Sequence, residues 1–292
     1  MIVGTRGSKL ALAQTEIFIS KFREHFPDEE VEVKIVRTTG DDVTDRPLSS
    51  LGGYGAFVKE LDIKLVDGEV DVAVNSLKDM PVDLTEGTEL TALLPRGPVE
   101  DAMLPDISLD DLPPGSRVGT SSVRRAAMLR NLRPDLELLD IRGNVPTRIR
   151  KLRDGQYDAI VLARAGLVRL GLEEPHTVLD PERFVPAVGQ GAIAVVCGEG
   201  SETSRMIAEM DHSPTRAEVE LERSVLRMLG GGCSVPIGVW ARRTGTGIRF
   251  LGTVLSNDGK ECLRVEEEMS LPVDEVLVRR IADRLRPGLE VP

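Results

Sequence analysis

The chain has 292 residues, 37 Lys+Arg against 48 Asp+Glu for a net charge of −11, three Cys and 3% aromatic residues. At roughly 150 residues per domain this length points to about two domains whose cores need no covalent staple, and the acidic balance disfavours nucleic acid, whose binding rests on neutralising phosphates. An odd cysteine count with no C-x-x-C pair argues against a secreted disulfide framework and for a reducing cytoplasm, while the longest uncharged stretch, the 15 residues from Phe184 to Gly198, is too short and glycine-rich to span a membrane.

In chain order, apolar periodicity alternates between strand-like and helix-like segments, the pattern of α/β architecture. Ser8 to Phe26 spaces Leu10, Ala13, Ile17 and then Phe18, Phe22, Phe26 as a helix would, and Val31, Val33 and Ile35 alternate with Glu32 and Lys34 as a half-buried strand. Further strands are expected at Val70–Val74, Glu89–Leu94, Leu136–Ile141, Ala159–Leu162 and Ala192–Val196, with helices at Val58–Leu65, Ser122–Leu132, Val145–Leu152 and Arg164–Leu170. A helix capped by Ser213, with Pro214 in its first turn, runs to the triple glycine at Gly230. Strands at Ile237–Arg242, Ile248–Leu255 and Cys262–Met269 and a helix over Val273–Leu285 then suggest a small α+β domain. Two breaker-rich segments, Pro95 to Pro98 and Pro186 to Gly191, bracket the middle third, so the chain is expected to leave a first domain, build a second and return.

That middle third carries a charge asymmetry. From Arg124 to Arg153 nine basic residues face three acidic ones, +6 inside a −11 chain, and eight of the nine are Arg, whose planar fork suits carboxylate or phosphate. Three turns of one form, Thr5 to Lys9, Gly119 to Arg125 and Arg142 to Arg148, place basic residues beside glycine or serine where a strand meets a helix, and a helix start attracts anions. Each alone reads equally as a capped helix start; together, and with the strand end Val72 to Pro81 that carries Ser76, Lys78 and Asp79, they point to an anion-binding cleft. The glycine-containing loop from Asp41 to Phe57 reads as a lid or as a plain loop.

Cys197, closing an apolar run, and Cys262, on an expected strand, read as structural. Cys233, after three glycines and before Pro236, lies on an accessible loop as a candidate nucleophile or attachment point. His25, His176 and His212 are too remote in sequence to suggest a Cys–His dyad, and no zinc, EF-hand or nucleotide-binding motif occurs.

The set T-R-G-S (Thr5 to Ser8), V-K-E-L (Val58 to Leu61), S-L-K-D-M-P-V (Ser76 to Val82), G-T-S-S-V-R-R (Gly119 to Arg125), R-G-N-V-P-T-R (Arg142 to Arg148), Y-D-A-I-V-L-A (Tyr157 to Ala163), P-A-V-G-Q-G (Pro186 to Gly191) and G-G-C-S-V-P-I-G (Gly231 to Gly238) resembles the porphobilinogen deaminases. The resemblance implies two doubly wound α/β domains like type II periplasmic binding proteins, joined by hinges, plus a small C-terminal α+β domain. The implied boundaries are residues 1–95 with 191–212, then 96–190, then 213–292.

It further implies a transferase that adds four porphobilinogens head to tail on a covalently attached dipyrromethane, held as a thioether by Cys233, with loss of four ammonia and release of hydroxymethylbilane by water. A cytoplasmic monomer without metal, membrane or nucleic-acid partner is the matching expectation. Asp79 corresponds to the family's catalytic aspartate. Lys78, Ser76, Ser122, Arg124, Arg125 and Arg148 would hold the cofactor, and Arg6, Ser8, Arg142, Arg169, Phe57, Lys59 and Gln190 the substrate, Phe57 by stacking unless it is simply buried. Two departures stand out: Asn75 where the family usually has His, and Tyr54 where it usually has Lys. The rival reading is a non-catalytic small-anion-binding protein of the same hinged architecture.

Overall fold

Strands β1 (Ile2–Arg6) and β3 (Val72–Ser76) run parallel, with Val3 opposite Val72 and Gly4 opposite Ala73. They belong to the first of two units, Met1–Gly97 with Gly191–Ala217 and Pro98–Gln190 with Glu218–Pro292, in a computed structural model that describes residues 1–37, 58–230 and 235–289. The expected lid loop, Tyr54, Phe57 and Cys233 lie outside the described residues.

The first sheet has the order β2-β1-β3-β10-β4, where β2 is Glu32–Val36, β4 Thr88–Leu93 and β10 Ile193–Gly198. Strand β10 is antiparallel to both its neighbours. The sheet is covered on both faces. Val3, Val72 and Val74 pack with Phe18 and Phe22 of α1 (Lys9–His25), whereas a Cβ on Gly4 would point the other way, 3.1 Å from Leu61 of α2 (Lys59–Val66).

Helix α1 begins where Ser8 accepts a hydrogen bond from the Ala11 N–H at 3.2 Å. It buries the stripe Ala11, Gln14, Thr15, Phe18 and Phe22, while Ile17 is 36% exposed. The expected apolar face through Leu10, Ala13 and Ile17 is therefore displaced, because the two polar residues on the buried face find partners: Thr15 Oγ1 donates to the Ala11 carbonyl and Gln14 bonds Ser76. Strand β2 forms as expected, but at the sheet edge its Val33 and Ile35 are exposed rather than half-buried.

In the second unit the sheet order is β7-β6-β8-β5-β9, from β5 (Asp101–Leu104), β6 (Arg117–Gly119), β7 (Glu137–Leu139), β8 (Ala159–Ala163) and β9 (Thr177–Val178). Alternation along β5 and β8 serves two cores. Met103, Ala159 and Val161 pack with Met128 and Leu129 of α3 (Val123–Leu132). Ala102, Leu104, Ile160 and Leu162 pack with Ile149 of α4 (Val145–Arg153) and Leu167 of α5 (Arg164–Arg169). Strands β5 and β9, and helix α6 (Glu202–Ile207) of the first unit, are too short to show a period in the sequence.

Helix α7 (Ser213–Met228) starts one residue earlier than anticipated. His212, not Ser213, stands at its cap: the His212 carbonyl accepts from the Arg216 N–H at 3.0 Å and its Nδ1 from the Thr215 N–H at 3.3 Å. The C-terminal strands β11 (Ile237–Thr244), β12 (Gly247–Leu255) and β13 (Cys262–Ser270) form an antiparallel meander, followed by α8 (Glu275–Leu285). Leu251 and Leu255 of β12 join the core of α3. Buried Glu222 of α7 accepts from the backbone N–H groups of Gly189 at 2.7 Å and Ala241 at 2.9 Å, tying the 186–190 turn to β11. The expected architecture of two doubly wound α/β sheets and a small C-terminal sheet-and-helix unit is present.

Candidate active site

Parallel strands deliver the residues that follow them to one end of a sheet, which is where open α/β folds bind ligands. In the first unit β1 ends at Arg6, with Ser8 two residues on, and β3 ends at Ser76, followed by a 3₁₀ turn over Leu77–Asp79. Arg6, Ser8, Gln14, Asn75, Ser76 and Asp79 line a cavity of about 50 Å³ there. Lys78 and Asp79 form a half-exposed ion pair at 3.9 Å.

The hydroxyl of Ser76 is held by Gln14, whose Nε2 lies 2.8 Å and Oε1 3.1 Å from Ser76 Oγ. Asn75 is only 5% exposed, and among the described residues its Nδ2 has no hydrogen-bond partner. Lys59 is exposed at the first turn of α2.

In the second unit Ser122 caps α3, accepting from the Arg125 N–H at 3.4 Å. Arg124 and Arg125 are buried, and both converge on Asp101, which is 0% exposed. Arg124 Nη2 donates to Asp101 Oδ2 and Arg125 Nη2 to Oδ1, each at 2.7 Å. Arg125 Nε donates to the same Oδ1 at 3.1 Å, and Gln190 Nε2 adds a fourth donor at 2.9 Å while also donating to the Val99 carbonyl at 2.7 Å. Burial alone would push the Asp101 carboxyl up; the charges and hydrogen bonds of Arg124 and Arg125 outweigh it and hold the group at about 2. Two guanidiniums against one carboxylate leave this cluster with a charge of +1. The Val185 carbonyl accepts from Arg124 Nη1 at 2.6 Å and the Val161 carbonyl from Arg125 Nη1 at 3.2 Å.

Arg142 lies 3.4 Å from Asp140, and Arg148 Nε donates to the Gly143 carbonyl at 2.7 Å. The turn between them requires glycine: Gly143 has φ +110°, and a Cβ there would lie 2.7 Å from Thr147 Cγ2. Asn144 then caps α4, accepting from Thr147 at 3.0 Å. Arg169 is half-buried at the end of α5.

The +6 window is therefore not one continuous wall. Arg130 donates to the Asn257 carbonyl at 2.8 Å, Arg133 to Leu112 O and Asp135 at 2.7 Å, and Arg153 to Glu174 at 2.5 Å. These three brace the fold. Gln14, which holds Ser76, and Asp101, which holds Arg124 and Arg125, belong to none of the sequence motifs. Gln14 left a signal, a polar residue four before Phe18 and eight before Phe22; Asp101 left little, since its partners are 23 and 24 residues away.

Burial pushes the Cys197 thiol up to about 11, so it is inert as a nucleophile. Cys262, expected to be structural, is instead exposed, 3.3 Å from Thr253 Oγ1. Among the described residues no group of His, Cys, Asp and Glu could hold a metal, and no helix is long and apolar enough to cross a membrane.

Comparison with known proteins gives a concordant result along the chain. Residues 1–206 match the family model "Porphobilinogen deaminase, dipyromethane cofactor binding domain", and residues 216–286 match "Porphobilinogen deaminase, C-terminal domain". The porphobilinogen deaminase of Nitratidesulfovibrio vulgaris is 49% identical over 270 residues, covering 90% of this chain and 86% of that protein. That of Xanthomonas campestris pv. campestris is 46% identical over 287 residues, covering 97% and 94%. Among solved structures, a TRAP periplasmic solute binding protein from Desulfovibrio salexigens aligns with a TM-score of 0.42 at 12% identity, covering 72% of this chain and 71% of that one.

Proposed function

The chain belongs to the porphobilinogen deaminase family, and we propose from that membership how its residues divide the reaction. The enzyme is a transferase: it joins four porphobilinogen molecules head to tail on a covalently bound dipyrromethane, with loss of four ammonia, and water releases hydroxymethylbilane. The carrying observation is the family match through both parts of the chain; it sets aside a non-catalytic anion-binding protein.

The residues present fit a dipyrromethane, which carries acetate and propionate groups and two pyrrole N–H groups. Buried Arg124 and Arg125 exceed Asp101 by one positive charge beside the Ser122 cap, which suits the acidic side chains. Among the described residues the carboxylate lining the first-unit cavity is that of Asp79, which suits the N–H groups. When bound, the group supplies the carbon nucleophile to which each unit is added. In our reading Ser76, Lys78, Ser122, Arg124, Arg125 and Arg148 hold it, and Cys233 is its attachment point.

Arg6, Ser8, Arg142 and Arg169 take the carboxylates of incoming substrate, with Lys59, Gln190 and Phe57 completing its surroundings. Asp79 accepts a hydrogen bond from the substrate pyrrole N–H, stabilises the positive charge that develops as ammonia leaves, and moves the proton that is lost on coupling. Residues 1–95 with 191–212 thus carry the chemistry, 96–190 the arginine counter-charge, and 213–292 the attachment loop. We place the enzyme in the cytoplasm as a monomer, which sedimentation of the purified protein tests.

Intact-protein mass tests the whole reading. The unchanged chain is expected to exceed its sequence mass by two linked pyrroles, and Cys233→Ser to lack that excess. An active protein at its bare sequence mass would overturn it.

A further inference from the structure

A buried amide that bonds nothing is costly, because a donor withdrawn from water without a partner forfeits its hydration. The Nδ2 of Asn75 is such a donor, and Asn75 lines the cavity that also holds Arg6, Ser8 and Asp79. Its neighbours do not satisfy it: Gln14 and Ser76 are engaged with each other. Ser8 Oγ accepts from the Ala11 N–H, and among the described residues it takes no bond from Asn75 Nδ2.

At about 50 Å³ the cavity has room for a few water molecules. A carboxyl group fits that space. Porphobilinogen offers donors in its pyrrole N–H and protonated aminomethyl group, and acceptors only in its two side-chain carboxylates. Its donors have the Asp79 carboxylate to turn to. A donor amide can be matched only by one of its carboxylates.

We propose that Asn75 is a specificity-determining residue, its Nδ2 donating a hydrogen bond to one side-chain carboxylate of the incoming pyrrole, seated with Arg6 and Ser8. The assignment rests on the reading that this cavity receives porphobilinogen. Because acetate and propionate differ by one methylene, a fixed buried donor also distinguishes the two faces of the ring, and so favours one orientation of the monomer relative to Asp79.

The test measures binding of an unreactive probe, the pyrrole dicarboxylate lacking the aminomethyl group, and of its two monoacid counterparts, each with one acidic side chain replaced by the matching alkyl group. Asn75→Leu in the cofactor-loaded enzyme is expected to weaken the dicarboxylate by about 10-fold or more and to leave one of the two monoacids unaffected. The same variant is expected to melt at a higher temperature, since an unpartnered donor has been replaced by a similar-sized apolar side chain.

Dicarboxylate binding unchanged, or weakened equally for all three probes, overturns the proposal. Should Asn75→Leu fail to fold, Asn75→Ser, which shortens the donor, must show the same selective loss or the proposal falls. If the unchanged enzyme binds no dicarboxylate, or Arg6→Leu has no effect on it, the reading of the cavity itself has failed, independently of Asn75.

Discussion

Arg124 reaches Asp101 across 23 residues of sequence, and their side chains meet at 2.7 Å with relative exposures of 6% and 0%. Arg125 meets the second oxygen of the same carboxylate at 2.7 Å. A pair of adjacent arginines at a helix start is thereby held by the first residue of a strand on the same sheet, so the anion-attracting end of α3 depends on an acid that itself faces no solvent.

Removing one partner of a buried ion pair leaves the others uncompensated, a loss of about 3–5 kcal/mol. Asp101→Asn is therefore expected to lower unfolding free energy by an amount in that range. Urea denaturation checks it; a change below about 1 kcal/mol would show that carbonyls and water suffice to support the arginines.

The same carboxylate predicts an acid limb in the stability curve. It titrates at about 2 in the folded chain against an ordinary 3.8, so on acidification the unfolded state takes up the proton first. Its contribution, roughly 2 kcal/mol, is fully present above about pH 4 and lost between about pH 4 and 2. Stability measured across that window should fall in the unchanged chain and be flatter in Asp101→Asn.

Asp79→Asn keeps shape and removes the charge. Ammonia release from porphobilinogen is expected to fall by about 100-fold or more, while the melting temperature stays close to that of the unchanged protein. Near-normal ammonia release in the variant would remove Asp79 from the chemistry.

Gln14→Leu frees the Ser76 hydroxyl without opening a large void. The expected result is a loss of about 1 kcal/mol in stability and of about 10-fold in kcat/KM. In a double-mutant cycle Ser76→Ala should add little to it; fully additive losses would mean the two side chains act separately.

Gly143→Ala tests the Arg142 turn. Its positive φ and the close Thr147 methyl predict a cost of about 1–3 kcal/mol, with weaker binding of the substrate carboxylates. A stable variant with unchanged KM would show that the turn tolerates rearrangement.

Much of this was legible in the sequence wherever a period or a cap was long enough to read. Ser8, Ser122 and Asn144 announce their helices because a hydroxyl or amide must take up the first free N–H groups. The basic turns were legible as turns, but not what each arginine does. Arg133 and Arg142 look alike in the chain, yet the first is used up by carbonyls and Asp135. That distinction depends on which distant carbonyl or carboxylate the fold brings near. Asp101 and Gln14 are hidden for the same reason: a buried polar residue reveals itself only through its partner, and here the partners come from other elements.

Strand β10 has a consequence for synthesis. It lies between β3 and β4, which share no ladder with each other, yet it is encoded 100 residues after β4, from Leu93 to Ile193. At about 5–20 residues per second the ribosome needs on the order of 5–20 s to bridge that interval. Every strand of the second unit's five-stranded sheet has been made by Val178. During translation, then, the second sheet can close while the first still waits for the strand that joins β4 to β3, and the half of the enzyme that begins the chain is the one whose sheet is completed later.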